Sequence, residues 1–175
     1  MDDALIQSLR TRLSEFDGKA VTLLGEAEAS LSDNLYYVDA LIVLSDSSEG
    51  KIADGATWLI KSALERGTRL TATQTLLLIE QLPKIKGWSA QLHVCQSIRY
   101  LAIPAGHAQL VARWLAPLLN HRRPFLRAWA LDALDWVARV EPGLRGQVSA
   151  AMDEAERDDA ASVRARAKAI RRRKI

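Results

Sequence analysis

The chain has 175 residues, of which 49% are hydrophobic and 26% are charged, and its formal net charge is +3. This composition is that of an ordinary globular protein and excludes the low hydrophobicity of a disordered chain. A single cysteine, Cys95, excludes an internal disulfide, and no apolar run reaches the roughly 18 residues that a membrane span needs. We therefore predict one folded domain over residues 1–175, in a reducing, cytoplasmic environment and without a membrane partner.

Charge is distributed unevenly along the chain. Residues 1–50 carry ten acidic and three basic side chains, whereas residues 51–175 carry eleven acidic and twenty-one basic ones. No acidic residue occurs between Glu80 and Asp132, a segment that contains seven basic residues and all three histidines. A basic segment of this kind is typical of a surface that attracts an acidic protein or a phosphate backbone.

Apolar residues recur at spacings of three and four almost throughout the chain, which predicts helices rather than strands. Glycine, proline and polar breakers divide this pattern into ten segments. The predicted helices span residues 3–15, 19–31, 35–45, 51–66, 72–82, 88–103, 108–119, 124–139, 143–157 and 160–173. Because the connections between them are short, successive helices are expected to fold back on one another as antiparallel hairpins.

Two of these segments have similar sequences. Residues 124–134 read PFLRAWALDAL and residues 161–170 read ASVRARAKAI, so the two segments begin 37 residues apart. Looser copies begin at Ala90 and Ala56, each 34 residues before the next one, with His93 and Leu59 where arginine is expected. A period of this length is typical of stacked helical repeats.

The segments resemble the inner helix of HEAT repeats, in which an acid and a small residue or proline precede Val-Arg and alanine then recurs at helical spacing. Asp158 stands at the position of that acid, and small residues such as Ala130 allow neighbouring helices to approach closely. The resemblance implies an all-α fold, a short right-handed α-α superhelix of about four to five antiparallel helix pairs whose inner helices line a concave face. Residues 1–34 are then expected to form N-terminal capping helices, and residues 35–174 the stacked pairs.

The sequence contains no nucleotide-binding, zinc-protease, nucleophile-elbow or calcium-loop motif. His93, His107 and His121 are each fourteen residues apart, which indicates separate helices or loops rather than a shared metal site. Cys95 lies on an apolar helix face and is expected in the core, with a reactive thiol as the alternative. We therefore predict no metal, no cofactor and no catalytic residue.

Five tryptophans are many for this length, and packing between helix layers is the simplest interpretation. Trp129 and Trp136 are seven residues apart and therefore share a helix face, with Asp132 and Asp135 nearby. In residue types this arrangement resembles the HEAT-like DNA glycosylases, which use tryptophans and an aspartate in a basic concave cleft to hold a damaged nucleotide. The resemblance would imply activity here only if a tryptophan and an aspartate were exposed together in a cleft.

Basic residues are the main functional candidates, and they concentrate in residues 84–127 and in the C-terminal segment 164–174. The predicted basic surface consists of Arg99, Arg113, Arg122, Arg123, Arg127, Arg164, Arg166 and Arg171, with Trp129 and Trp136 as aromatic contacts. Two structural interpretations compete with this prediction. Arg127 and Arg164 are candidates for the arginines that pair with an acid of a neighbouring HEAT repeat, and the bases from Arg171 onward would complement the dipole of the last helix.

Three functions follow from these observations. The first is a non-enzymatic HEAT-like binding module, a scaffold that holds a protein partner on its concave face. The second is nucleic-acid binding through residues 84–127 and 164–174, which would read the phosphate backbone rather than the bases. The third is a DNA glycosylase. Mixed charge on the inner helices would favour the first function over the second, whereas aligned arginines and lysines would favour the second. The sequence predicts no oligomeric state.

Overall fold

The computed structural model describes residues 2–173, and within that range the chain forms helices and no strand. Its α-helices are α1 (Asp3–Ser14), α2 (Val21–Leu31), α3 (Tyr37–Leu44), α4 (Gly50–Glu65), α5 (Ala72–Gln81), α6 (Trp88–Ser97), α7 (Ala105–Leu115), α8 (Pro124–Val140), α9 (Arg145–Ala155) and α10 (Ala161–Arg172). Short 3-10 turns occupy Leu82–Lys84, Ile98–Tyr100, Ala116–Asn120 and Pro142–Leu144. The all-α prediction is therefore confirmed for the described residues. No helix among them is long and apolar enough to cross a membrane.

The helices lie close to where the apolar periodicity predicts them, with two clear differences. The segment predicted as a single helix over 88–103 leaves the α-helical form after Ser97 and continues as a 3-10 turn. The next helix begins at Ala105 rather than at 108, because Pro104 takes the N-cap position with an extended backbone. Proline is tolerated at the start of a helix, where its missing N–H leaves no intrahelical bond unmade.

Side chains cap several helices, and one of these caps comes from a distant part of the chain. Asp2 accepts the backbone N–H of Leu5 at 3.1 Å, and Thr71 forms a capping box with Gln74 at the start of α5. The N-cap of α6 is a glycine, which has no side chain to offer. Instead the Asp54 carboxylate on α4 accepts the N–H of Ala90 at 3.0 Å.

The described chain divides into two compact units, one ending at Tyr100 and the other beginning at Leu101. In the first unit, α1 packs against α2, α3 and α4, α3 also packs against α5, and α4 packs against α6. The α1 helix contributes Leu5, Leu9 and Leu13, which are buried at four-residue spacing on one face. Cys95 on α6 is buried as expected, and burial raises the pKa of its thiol.

Gly55 allows α4 to approach the helices of the N-terminal segment closely. A Cβ atom at this position would lie 2.8 Å from Cδ2 of Leu13 and 3.2 Å from Cδ2 of Leu24. Both leucine side chains are almost completely buried, so neither moves aside without disturbing the core.

The substitution Gly55→Ala is therefore expected to lower the free energy of unfolding by about 1–3 kcal/mol, because overpacking exceeds the gain in helix propensity. The matched control is Gly25→Ala in α2, where an added Cβ has no neighbouring atom within 4 Å. That control is expected to raise the free energy of unfolding by about 0.5–1 kcal/mol. Urea unfolding of both variants tests the prediction, and equal gains in stability would contradict the close approach at Gly55.

The second unit is built around α8, which packs against α7, α9 and α10. The face of α8 toward these helices carries small as well as large apolar residues, including Leu126, Ala130, Ala133 and Leu134. Ala130 and Ala133 are completely buried, which is the close-packing role that the repeat pattern predicts for them.

Ala130→Leu is expected to lower the free energy of unfolding by about 1–3 kcal/mol, because the buried seam around α8 has no room for three more carbons. Ala165→Leu on α10 is the control, since Ala165 is exposed and the same enlargement should change stability by less than about 0.5 kcal/mol. Thermal unfolding followed by circular dichroism measures both. An unchanged melting temperature for Ala130→Leu would contradict the assigned packing face of α8.

Candidate binding surface

The N-terminal end of α8 presents basic and aromatic side chains to solvent. Pro124 occupies the first helical position, and Arg123 before it is the N-cap with an extended backbone. The side chains of Arg122 and Arg123 are exposed, and Phe125 has an exposed fraction of 52%. The Phe125 ring meets Trp129 edge to face, with the ring centroids 6.4 Å apart. We call Arg122, Arg123 and Phe125 the α8 N-terminal surface.

Arg127 lies one turn further along α8, but its charge is used within the protein. Its Nε and Nη2 atoms donate to the two carboxylate oxygens of Asp158 at 2.8 and 2.7 Å, and Nη1 donates to the carbonyl of His121 at 2.9 Å. The ion pair with Asp158 agrees with the structural interpretation of Arg127, in which the arginine pairs with an acid. Arg127 therefore holds the start of α8 to the turn before α10.

Asp158 organises the segment that leads into α10. Besides Arg127, its carboxylate accepts the backbone N–H of Ala160 at 2.8 Å. The hydrogen bonds from Arg127, and then that from Ala160, hold the pKa of Asp158 below its usual value. Arg164 donates from Nη1 to the backbone carbonyls of Asp158 and Asp159 at 2.5 and 2.8 Å, so it too contacts this turn rather than projecting freely.

Ion pairs and cation–π contacts join α8 to the C-terminal part of the described chain. We call the residues that take part the Trp–Arg cluster: Trp129, Trp136, Asp132, Arg166 and Arg173. Asp132, with a side chain only 3% exposed, accepts from Arg166 at 3.2 Å and from Arg173. The guanidinium of Arg166 lies 3.9 Å from the centroid of Trp129, and that of Arg173 lies 5.8 Å from the centroid of Trp136. Both distances are within the range of a cation–π interaction.

Asp135 is buried beside this cluster. Its side chain is 4% exposed and accepts from Arg139, four residues later on α8, at 3.3 Å. The Arg139 guanidinium also lies 4.1 Å from the centroid of the Trp136 ring. The glycosylase prediction requires a tryptophan and an aspartate exposed together in a cleft. The structure brings both residue types together, but Asp132 and Asp135 are buried and paired with arginines.

The remaining predicted basic residues divide by their partners. Arg171 pairs with Glu156 and lies 3.6 Å from Asp153. Arg99, in the first unit, lies 3.9 Å from Glu65 and donates to the Tyr100 hydroxyl at 2.5 Å. Arg113 and Arg122 are exposed and make no ion pair with residues 2–173. Lys174, the end of the predicted basic segment, lies outside the described residues.

The three histidines lie in different parts of the structure. Burial, and then the charge of Lys61, lower the pKa of His93 to about 4, and its Nδ1 lies 3.1 Å from the hydroxyl of Thr57. Burial, followed by the positive charges of Arg122 and the neighbouring arginines, lowers the pKa of His121. Among residues 2–173, no group of three or more histidine, cysteine, aspartate or glutamate side chains is placed to hold a metal ion.

Two cavities in the second unit lie near these side chains. A cavity of about 270 Å³ adjoins the Arg127–Asp158 pair and includes His121 and Arg122 in its wall. A larger cavity of about 430 Å³ lies toward the C-terminal end of α8, where Arg139 and Arg173 contribute to its wall. Comparison with known proteins finds no family model, no curated protein and no solved structure that matches this chain.

Sequence reasoning missed several residues of this region. Arg139 and Arg145 were not among the predicted surface residues, although both line the larger cavity, and Arg173 was predicted only as part of the basic segment 164–174. The spacing of four between Asp135 and Arg139 was the available signal, because such pairs face each other on a helix. No comparable local signal links Asp132 with Arg173, which are 41 residues apart in the chain.

Proposed function

We propose that this chain is a HEAT-like repeat module, without enzymatic activity, that binds an acidic protein partner through the α8 N-terminal surface. In this proposal α4, α6, α8 and α10 are the inner helices of successive antiparallel pairs in a short right-handed superhelix. The observation that carries the binding proposal is the combination of the half-exposed Phe125 ring with the exposed guanidinium groups of Arg122 and Arg123.

The repeat proposal is supported by packing within each unit. The four segments with the 34- and 37-residue spacing coincide with α4, α6, α8 and α10, and α4 packs on α6 as α8 packs on α10. The Arg127–Asp158 pair joins the start of α8 to the turn before α10, which is where HEAT-like repeats are expected to place such a bridge. Such pairwise stacking supplies each helix pair with a core that it lacks alone.

The chemistry of the α8 N-terminal surface favours a protein partner. Aromatic residues and arginine are enriched at protein interfaces because each buries a large area and arginine also binds carboxylates in a bidentate manner. The ring of Phe125 already contacts the ring of Trp129, so Phe125 loses little side-chain freedom when a partner covers it. The adjacent positive charges select an acidic partner through long-range attraction.

Charge on α8 and α10 supports a protein partner over a nucleic acid. A surface that follows a phosphate backbone needs several unneutralised cations along its length. Here Arg127, Arg166 and Arg171 pair with Asp158, Asp132 and Glu156 respectively, so these three cations are neutralised and the surface around α8 carries charges of both signs. The mixed charge is the sequence-based criterion that favours the protein-binding function.

The test is site-specific photo-crosslinking in the native cell, with a benzoylphenylalanine placed at position 125. Protein adducts are expected at this position, and they should decrease at least about tenfold when Arg122 and Arg123 are both changed to glutamate, because two attractive charges become repulsive. Circular dichroism should show an unchanged helical signal, since both side chains are exposed. The same crosslinker at Gln147, an exposed residue of α9, is the matched control.

Three outcomes would contradict the proposal. Adducts of equal yield at positions 125 and 147 would show that crosslinking reports exposure alone. Tight binding of single- or double-stranded DNA or RNA in fluorescence anisotropy, lost between about 50 and 200 mM salt, would instead favour the nucleic-acid function. Equal crosslinking before and after the charge reversal would exclude an acidic partner.

A further inference from the structure

The larger cavity of the second unit, about 430 Å³ in volume, has three arginines among its six described lining residues. Among residues 2–173, its wall includes Asp135, Ala138, Arg139, Arg145, Val148 and Arg173. The volume is within the range of pockets that hold small organic molecules. The cavity lies toward the end of α8, about 20 Å along the helix from Phe125 at 1.5 Å per residue, so an inference about it does not rest on the proposed function.

Counted over the residues that the structure describes, the cavity wall carries a net positive charge of two. Three arginines contribute positive charge, and Asp135 contributes the one negative charge, which already accepts from Arg139. Arg173 pairs with Asp132, which lies outside the wall. Arg145 begins α9, is exposed, and makes no ion pair with residues 2–173. Its guanidinium therefore has its donors available to a ligand.

Two of the three guanidinium groups are held in position before any ligand arrives. Arg139 is fixed by Asp135 at 3.3 Å and by the ring of Trp136 at 4.1 Å. Arg173 is fixed by Asp132 and lies 5.8 Å from the centroid of the same ring. Groups that are already ordered lose less conformational entropy on binding, and planar guanidinium groups match the geometry of phosphate oxygens.

We propose that this cavity binds a small molecule through a phosphate group, with Arg145 as the principal contact and Arg139 and Arg173 as flanking cations. A phosphate monoester carries up to two negative charges near neutral pH, which matches the net charge of the wall. Ala138 and Val148 give the cavity an apolar portion, so the ligand also carries an uncharged, apolar part. A concave, partly apolar site favours a small molecule over an extended nucleic-acid backbone.

The test is isothermal titration calorimetry of the full chain with phenyl phosphate, inorganic phosphate and phenol, at constant ionic strength. Phenyl phosphate is expected to bind with a Kd below about 1 mM, inorganic phosphate more weakly, and phenol not detectably. Arg145→Gln should weaken phenyl phosphate binding at least about tenfold. The matched control is Arg113→Gln on α7, because Arg113 is also exposed and unpaired but lies outside the cavity wall. Circular dichroism checks that both variants are folded.

Each other outcome would overturn the proposal. Failure of phenyl phosphate to bind at 10 mM, about ten times the expected Kd, would show that the cavity is not a phosphate site. Equal weakening by Arg145→Gln and Arg113→Gln would show that only the overall charge attracts the anion. Binding of phenol as tight as that of phenyl phosphate would assign the cavity to apolar ligands. These readouts do not involve Phe125 or a protein partner, so they are independent of the crosslinking result.

Discussion

Replacing Asp158 with alanine is expected to lower the free energy of unfolding by about 2–3 kcal/mol. The carboxylate accepts two hydrogen bonds from Arg127 and one from the backbone of Ala160, and the variant loses all three. The side chains of Asp158 and Arg127 are only 15% and 18% exposed, so solvent cannot fully replace the lost contacts. This partial exposure places the expected cost below that of a completely buried pair.

Asp159→Ala is the matched control for this substitution. Asp159 is adjacent and exposed, and only its backbone carbonyl accepts from Arg164. Loss of its side chain is expected to change stability by less than about 0.5 kcal/mol. Urea unfolding at pH 7 measures both variants. Equal effects at positions 158 and 159 would show that the Arg127–Asp158 pair contributes little beyond general electrostatics.

The contribution of Asp158 to the free energy of unfolding decreases as the pH falls. Because the pKa of Asp158 is lower in the folded chain than in the unfolded chain, the folded state binds its proton less readily. Its stabilisation is present above the unfolded pKa and is lost as the pH falls through the folded pKa. The variant Asp158→Asn should therefore show a smaller loss of stability on acidification than the natural chain does.

Acidification from pH 6.5 to about 4 is expected to remove up to about 3 kcal/mol of stability through His93. The pKa of this residue falls from 6.5 to about 4 on folding, because burial disfavours the imidazolium and Lys61 repels it, while Glu65 acts in the opposite direction. Over this pH range the unfolded chain takes up a proton that the folded chain excludes. Stability is therefore retained above the unfolded pKa and declines as the pH falls toward the folded value.

The variant His93→Gln isolates this contribution, because glutamine retains hydrogen-bonding capacity near Thr57 but does not titrate. Urea unfolding of both proteins at pH 7, 5.5 and 4.5 gives the difference in free energy at each pH. That difference should shift in favour of the variant as the pH falls. Parallel curves for the two proteins would show that His93 titrates normally and is not buried as described.

Much of the fold was predictable from local patterns. Three- and four-residue spacing of apolar side chains located the helices, and the dense alanines of 124–134 and 161–170 correctly indicated close packing around α8. The end of α6 was not predictable, because the apolar pattern continues beyond Ser97 while the backbone changes to a 3-10 turn. The spacing of apolar side chains indicates which face of a helix is buried. It does not indicate whether the backbone hydrogen bonds are those of an α-helix or of a 3-10 helix.

The candidate site was less predictable than the fold. The ion pair of Arg127 could be predicted, since the resemblance to HEAT repeats implies an acid at the position of Asp158. The partners of Asp132 could not, because Arg166 lies on α10 and Arg173 directly after it, 34 and 41 residues away in the chain. Whether an arginine meets a given partner depends on the direction in which its side chain leaves the helix. Consecutive residues differ in that direction by about 100°, so an error of one residue in the alignment of two helices changes the predicted contacts.

The cap that Asp54 provides to α6 makes two helices thermodynamically interdependent. The α6 helix has ten residues and a glycine N-cap, a length at which an isolated helix is marginal in water. Its amide at Ala90 finds an acceptor only when α4 is folded and docked beside it. Opening of α4 should therefore release α6 as well, so hydrogen exchange in both helices is expected to occur through a shared opening event rather than by independent fraying.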